Sequence, residues 1–176
     1  MTDPLKPRIL IACVGNIFLG DDGFGVEVAR RLVRRALPPE VLVRDFGIRG
    51  LDLAYALMDR HELTILVDAC QRGRAPGTVY LIKPDLLDGN ASVPNAADMS
   101  AHGMNPTNAL RMVKSMRIEV GRLLIVGCEP VDLGPEQEGK LGLSAAVLAA
   151  VEEAILLIDD LVSKTLHGDA VAAIQV

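Results

Sequence analysis

Residues 7–32 read PRILIACVGNIFLGDDGFGVEVARRL, and the change of period within them decides the fold class. Pro7 to Gly15 is a continuous apolar run closed by glycine, as a strand buried on both faces requires. From Gly25 the apolar residues Val26, Ala29, Val33 and Ala36 recur at helical spacing. Glu27, Arg30, Arg31, Arg34 and Arg35 then face away, and Leu37-Pro38-Pro39 is expected to end the helix. A buried strand handed directly to an amphipathic helix is how a parallel α/β unit begins.

The alternation continues outward from there. VLVRDFG (Val41 to Gly47) reads as a second strand, with a short helix near Leu51 to Asp59, and LTILVDA (Leu63 to Ala69) as a third strand. TVYLIK (Thr78 to Lys83) follows too closely for a helical crossover, so it is expected to lie antiparallel to its predecessor and near an edge. Pro84 to Met104 shows no clear period, and a connection that long in a compact domain is usually functional. Asn105-Pro106 starts a helix with Ala109, Met112, Val113 and Met116 as its apolar stripe. RLLIVGC (Arg122 to Cys128) is the last strand, and EPVDLGPEQEGKLG (Glu129 to Gly142) is a polar loop. Ser144 caps a long helix with Val147, Val151, Ile155, Ile158 and Val162 on one face. The expectation is one α/β domain over residues 1–176, a three-layer sandwich. Its mostly parallel, twisted five-stranded sheet carries helices on both faces, with the core at about 8–162 and a tail at 165–176.

Composition narrows the function classes. The chain has 176 residues, half of them apolar, and a net charge of −5. No Lys/Arg run exceeds two residues, which argues against nucleic acid as a partner. No apolar run approaches the roughly 20 residues that span a bilayer, so no membrane insertion is expected. The N-terminus lacks the layout of a signal peptide. Cys13, Cys70 and Cys128 are odd in number and widely spaced, which points to a reducing, cytoplasmic setting.

Ligand sites in such sheets gather at the carboxyl ends of the strands. The first strand runs into Asn16, Asp21 and Asp22. The third ends at Asp68 with Cys70 beyond it, the fifth ends at Cys128-Glu129, and His102 lies in the long loop. Three chemistries compete for these groups. Phosphate binding fits poorly, because Cys13 stands where a dinucleotide fingerprint wants its first glycine and Asp21 and Asp22 would repel a phosphate. Asp22, Asp68 and His102 offer two oxygens and a nitrogen, a mixture that Ni²⁺ or Zn²⁺ accepts with a position left open. Cys70 or Cys128 with His102 would make a thiol dyad. Each group also has a plainer role. Asp21 or Asp22 would cap the following helix, strand-end cysteines are often small buried hydrophobes, and loop histidines are often solvated. Asp68 is the hardest to dismiss, since an Asp ending a buried apolar run is costly unless paired, capping or working. The rival histidines, His61 at a strand entrance and His167 in the tail, are not at a carboxyl end.

The stretch GNIFLGDDGFGVEVARRL resembles the N-terminal signature of hydrogenase maturation proteases, the endopeptidases that trim the C-terminal extension from the large subunit of nickel-iron hydrogenases. DFGIRGLDLAYAL (Asp45 to Leu57), ILVDA (Ile65 to Ala69), APGTVYLI (Ala75 to Ile82), SAHGMNP (Ser100 to Pro106), IVGCEP (Ile125 to Pro130) and GLS (Gly142 to Ser144) are similar to further family blocks, in order. The resemblance covers roughly Arg8 to Val162. It implies an aspartic-type grouping and a metal-binding triad of Asp22, Asp68 and His102, with Asp22 or Asp68 as a catalytic carboxylate. Some members carry Glu where this chain has Asp22. It implies a partner, the large-subunit precursor, that arrives with nickel already bound, so the isolated protein is expected to be metal-free. Asn16 matches the family's turn, and Asn16, the Asp45-to-Gly50 turn with Asp45, Gly47 and Gly50, and the long Pro84-to-Met104 loop become candidates for gripping the extension. Two alternatives stay open: a non-catalytic chaperone that checks nickel occupancy, and a Cys-dependent peptidase.

Overall fold

β1 (Ile9–Val14) is buried at every residue, as its unbroken apolar sequence requires. A computed structural model describes residues 7–84, 106–133 and 139–169. Beyond β1 run a 3₁₀ turn (Gly20–Gly23), α1 (Phe24–Leu32), β2 (Val41–Gly47), α2 (Gly50–Met58), β3 (Leu63–Ala69) and β4 (Val79–Ile82). They are followed by α3 (Pro106–Ser115), β5 (Arg122–Cys128) and α4 (Ala145–His167). Among the described residues the strands form one five-stranded sheet in the order β2-β1-β3-β5-β4. β2, β1, β3 and β5 are mutually parallel, with Ile9 opposite Val41 and Leu63, and Asp68 opposite Gly127. The expected α/β sandwich is therefore the observed one.

Alternation along each strand sends side chains to two cores. Ile9, Ile11, Ile65, Val67, Leu124 and Val126 pack with α1 and α4 on one face. Leu10, Ala12, Leu66 and Leu123 pack with α2 and α3 on the other. Each large apolar side chain so removed from water contributes about 1.5–3 kcal/mol. Across the outer surface of the first layer, Arg31 and Arg35 reach Glu152 on α4 at 2.8 and 2.9 Å. These side chains are partly exposed, so the pairs fix the orientation of the helices more than they stabilise them.

Several expectations need correction. α1 ends at Leu32, five residues before Leu37, because Val33–Arg35 already form a turn. Its buried stripe is Phe24, Gly25, Val26, Val28, Ala29 and Leu32, and Val33 is 63% exposed. β4 is an antiparallel edge strand, but its neighbour is β5 and not β3, since β5 inserts between them. Met116 lies past the end of α3 and is exposed. Ser144 does cap α4, its Oγ accepting from the Val147 N–H at 3.4 Å. The helix extends to His167 and closes on Gly168 in the left-handed conformation, so the expected tail begins as ordered helix.

One glycine shows how tightly the layers meet. A Cβ on Gly25 would stand 2.2 Å from the Val14 carbonyl oxygen and 2.5 Å from that of Val67. The start of α1 is thus laid directly on the carboxyl ends of β1 and β3, which brings the first loop over Asp68.

Candidate active site

The turn after β1 is built around a carboxylate. Gly15 leaves the strand at φ +143°, and a Cβ there would stand 2.0 Å from the Asp22 carbonyl oxygen, so the chain can fold back only with glycine at this position. The folded-back chain lets the Asn16 N–H donate to Asp22 Oδ2 at 2.8 Å. Asn16 Oδ1 in turn accepts from the Phe18 N–H at 3.0 Å. Asn16 therefore sets the turn that positions Asp22.

Asp68 is the penultimate residue of β3, fixed by pairing on β5. Burial pushes its carboxyl up to about 8, the ionised Asp22 beside it pushes in the same direction, and a hydrogen bond from the Ala69 backbone partly offsets both. Asp22 is itself raised by burial, against the Asn16 hydrogen bond. Two acids from different strand ends thus share one low-dielectric space. Like charges so placed resist ionising together, which keeps a proton on the pair near neutral pH. Such opposed carboxyls are the usual raw material of acid–base and metal-recognising sites.

His102, the third expected donor, lies outside the described residues, as do most of the long loop and the SAHGMNP block apart from Pro106. Among the described residues no group of three or more His, Cys, Asp or Glu side chains forms a metal-binding cluster. His61 sits at the amino end of β3 with Nδ1 2.9 Å from the Pro7 carbonyl oxygen, and His167 Nδ1 is 2.7 Å from the Ser163 carbonyl oxygen, so both are remote from the pair.

Neither Asp21 nor Asp22 makes a side-chain cap to the following helices, contrary to the plainer expectation. Asp21 is 2% exposed and accepts from Val131 N–H at 2.8 Å and Ser144 N–H at 2.6 Å. It acts as a tie to the β5–α4 connection. Glu129 is also buried. Its carboxylate accepts from the Arg72 and Gly73 N–H groups at 2.8 and 3.0 Å and from the Tyr80 hydroxyl. The Tyr80 hydrogen bond and those backbone donors hold Glu129 below the usual carboxylate range. Glu129 clamps the loop that follows Asp68. The sequence signal for it was the same as for Asp68, an acid ending a buried run.

The Asp45–Gly50 turn is internally braced. Asp45 Oδ1 accepts from the Gly47 N–H at 2.8 Å, and the Arg49 guanidinium donates to the carbonyls of Asp45 and Phe46. The Gly15 N–H donates to the Gly47 carbonyl at 3.0 Å, which puts this turn beside the Asp22 turn, and Gly50 is buried at the start of α2.

The thiols are poorly placed for nucleophilic work. Burial pushes both Cys70 and Cys128 up to about 12. Cys70 lies over Gly127, where a Cβ would meet its sulfur at 2.7 Å, whereas Cys128 packs in the α1–α4 core. Burial drives Cys13 higher still.

Comparison with known proteins shows the family and the fold. The family model described as hydrogenase maturation protease matches residues 26–160. A Methanocaldococcus jannaschii protein described as a candidate hydrogenase maturation protease is 35% identical over 156 residues, covering 87% of this chain and 95% of that one. The structure of a hydrogenase 2 maturation peptidase from a Thaumarchaeota archaeon superposes with a TM-score of 0.66 at 32% identity, covering 88% of this chain and 97% of that one. A hydrogenase maturating endopeptidase from Escherichia coli superposes with a TM-score of 0.72 at 26% identity, covering 90% and 93%.

Proposed function

The chain belongs to the hydrogenase maturation protease family, and from that premise we propose that it is an endopeptidase that removes the C-terminal extension of a nickel-iron hydrogenase large-subunit precursor after nickel insertion. The observation that supports this most is the pairing of Asp22 and Asp68 at adjacent strand ends, where each carboxyl is raised by burial and the first charge raises the second.

In this reading nickel is part of the substrate. Asp22 and Asp68 supply oxygen donors to positions left open on the substrate's metal, with His102 as the nitrogen donor that the family pattern adds. An acid pair that shares a proton suits this task, because metal binding displaces the proton and cancels the repulsion between the charges. Recognition then fixes the neighbouring peptide bond, which removes much of the entropic barrier to its hydrolysis. Once metal binding has displaced the shared proton, a carboxylate oxygen of Asp22 or Asp68 left off the metal takes a proton from the attacking water. Such a use of carboxylates matches an aspartic-type grouping without requiring two acids to share the catalytic work equally. In this reading the Asp45–Gly50 turn and Asn16, which stand beside Asp22, hold the extension.

The test uses Asp22→Asn, Asp68→Asn and His102→Ala, each incubated with nickel-loaded precursor and read by gel mobility. The expected result is no shift of the precursor, with the circular dichroism of the variants unchanged. Full processing by any of them refutes the assignment of that residue. Tight binding of the precursor by the wild-type protein without loss of mass would favour a nickel-checking chaperone.

A further inference from the structure

Asp21 carries a buried carboxyl group that the chemistry above does not use. Besides Val131 and Ser144 it accepts a long contact from the Asp132 N–H at 3.5 Å. The backbone completes the tie. The Gly20 N–H donates to the Lys140 carbonyl and the Lys140 N–H to the Phe18 carbonyl, both at 2.7 Å, and the Asp21 N–H donates to the Asp132 carbonyl at 3.3 Å. Gly20 allows this approach, since a Cβ there would already be 3.2 Å from the Lys140 side chain. The Phe18–Asp22 turn and the chain around Val131 and Lys140 are thus joined along their backbones.

This join leaves three large apolar side chains in solvent. Phe18 is 60% exposed, Val131 54% and Leu141 74%. Leu141 lies between Gly139 at φ +66° and Gly142 at φ +86°. None of the three side chains makes a hydrogen bond in the turn, whose bonds come from the backbone, Asp21, Asn16 and Asp22. Large apolar residues left exposed on stretches joined in this way point to an interaction surface. The same short turn carries Asp22, held to Asn16, which is bonded to Phe18.

We propose that Phe18, Val131 and Leu141, on described stretches tied through Asp21 and the backbone, form a docking platform for apolar side chains of the polypeptide substrate. The inference rests on the peptidase reading. It commits to that occupant because Phe18 and Asp22 lie on one turn and both bond Asn16, so a chain presented to Asp22 and Asp68 meets the turn that carries Phe18. A rigid apolar platform one turn from the acids lets the folded part of the substrate register its scissile segment before chemistry.

The experiment compares the wild-type full chain with Phe18→Ser/Leu141→Ser, two exposed positions whose change leaves the Asp21 tie intact. Cleavage of nickel-loaded precursor is followed by mass spectrometry over a range of precursor concentrations. Binding of the same precursor is measured by biolayer interferometry, and self-association by sedimentation velocity. The expected result is a KM and a Kd raised about tenfold or more, with kcat within about twofold and unchanged sedimentation. An unchanged Kd overturns the platform. So does a wild-type dimer that the double variant abolishes, since the patch would then be a self-interface. If the wild-type protein cleaves nothing, the peptidase reading fails, while the Kd comparison still decides the platform.

Discussion

Replacing Asp68 by asparagine should stabilise the fold more at alkaline than at acid pH. Burial and the ionised Asp22 lift the Asp68 carboxyl from 3.8 to about 8. Between those values the folded protein holds a proton that the unfolded chain has released, so this carboxyl's contribution to stability is intact below pH 3.8 and is lost as pH rises to about 8. At about 1.36 kcal/mol per pKa unit, the full interval corresponds to an upper bound of roughly 6 kcal/mol. Relaxation and the access of water to a half-buried residue reduce this to about 2–3 kcal/mol. Asparagine keeps the size of the side chain and removes the ionisation. For a chain of this length about 2 kcal/mol moves the melting temperature by roughly 5 °C. The assay is differential scanning calorimetry of both proteins at about pH 5 and about pH 8.5. The expected result is a variant-minus-wild-type difference that grows by several degrees at the higher pH. A difference that is the same at both pH values, or smaller at the higher one, refutes the claim that this carboxyl is driven toward its neutral form.

Further consequences can be checked with single substitutions. Asp22→Asn removes the neighbouring charge that raises Asp68, so the fall in stability with pH should shift to lower pH, as measured by the same calorimetry. Cys70→Ser and Cys128→Ser should leave processing of the precursor intact, and iodoacetamide should label the native protein slowly at neutral pH, because both thiols are held up at about 12. Gly25→Ala should cost several kcal/mol and fail in soluble yield or melt far lower, since the added methyl meets two carbonyl oxygens of the strand ends.

Much of the fold was legible because β1, β3 and β5 are largely apolar runs, and β2, β3 and β5 begin and end where the sequence reading puts them. What escaped was decided by tertiary contacts. Val33 fits a helical period, but the helix stops one residue earlier, and a face read from spacing alone shifted with it. β4 follows β3 in the chain, yet the crossover through α3 places β5 between them. The site was legible where a single residue broke a rule, as Asp68 does at the end of LTILVDA. It was not legible where two neighbours look alike. Asp21 and Asp22 are chemically identical in the sequence, and their roles separate only through partners: Asn16, six residues away, for Asp22, and Val131 and Ser144, 110 and 123 residues along the chain, for Asp21. Glu129 carried the same signal as Asp68, but its clamp on Arg72, Gly73 and Tyr80 depends on a loop closure that no local pattern announces.

The most direct test of the central claim is mass spectrometry of a nickel-loaded hydrogenase large-subunit precursor, and of the same precursor without nickel, after incubation with this protein. The account predicts loss of one C-terminal fragment from the nickel-loaded precursor and no change in the other. An intact nickel-loaded precursor, or equal cleavage of both forms, would contradict it.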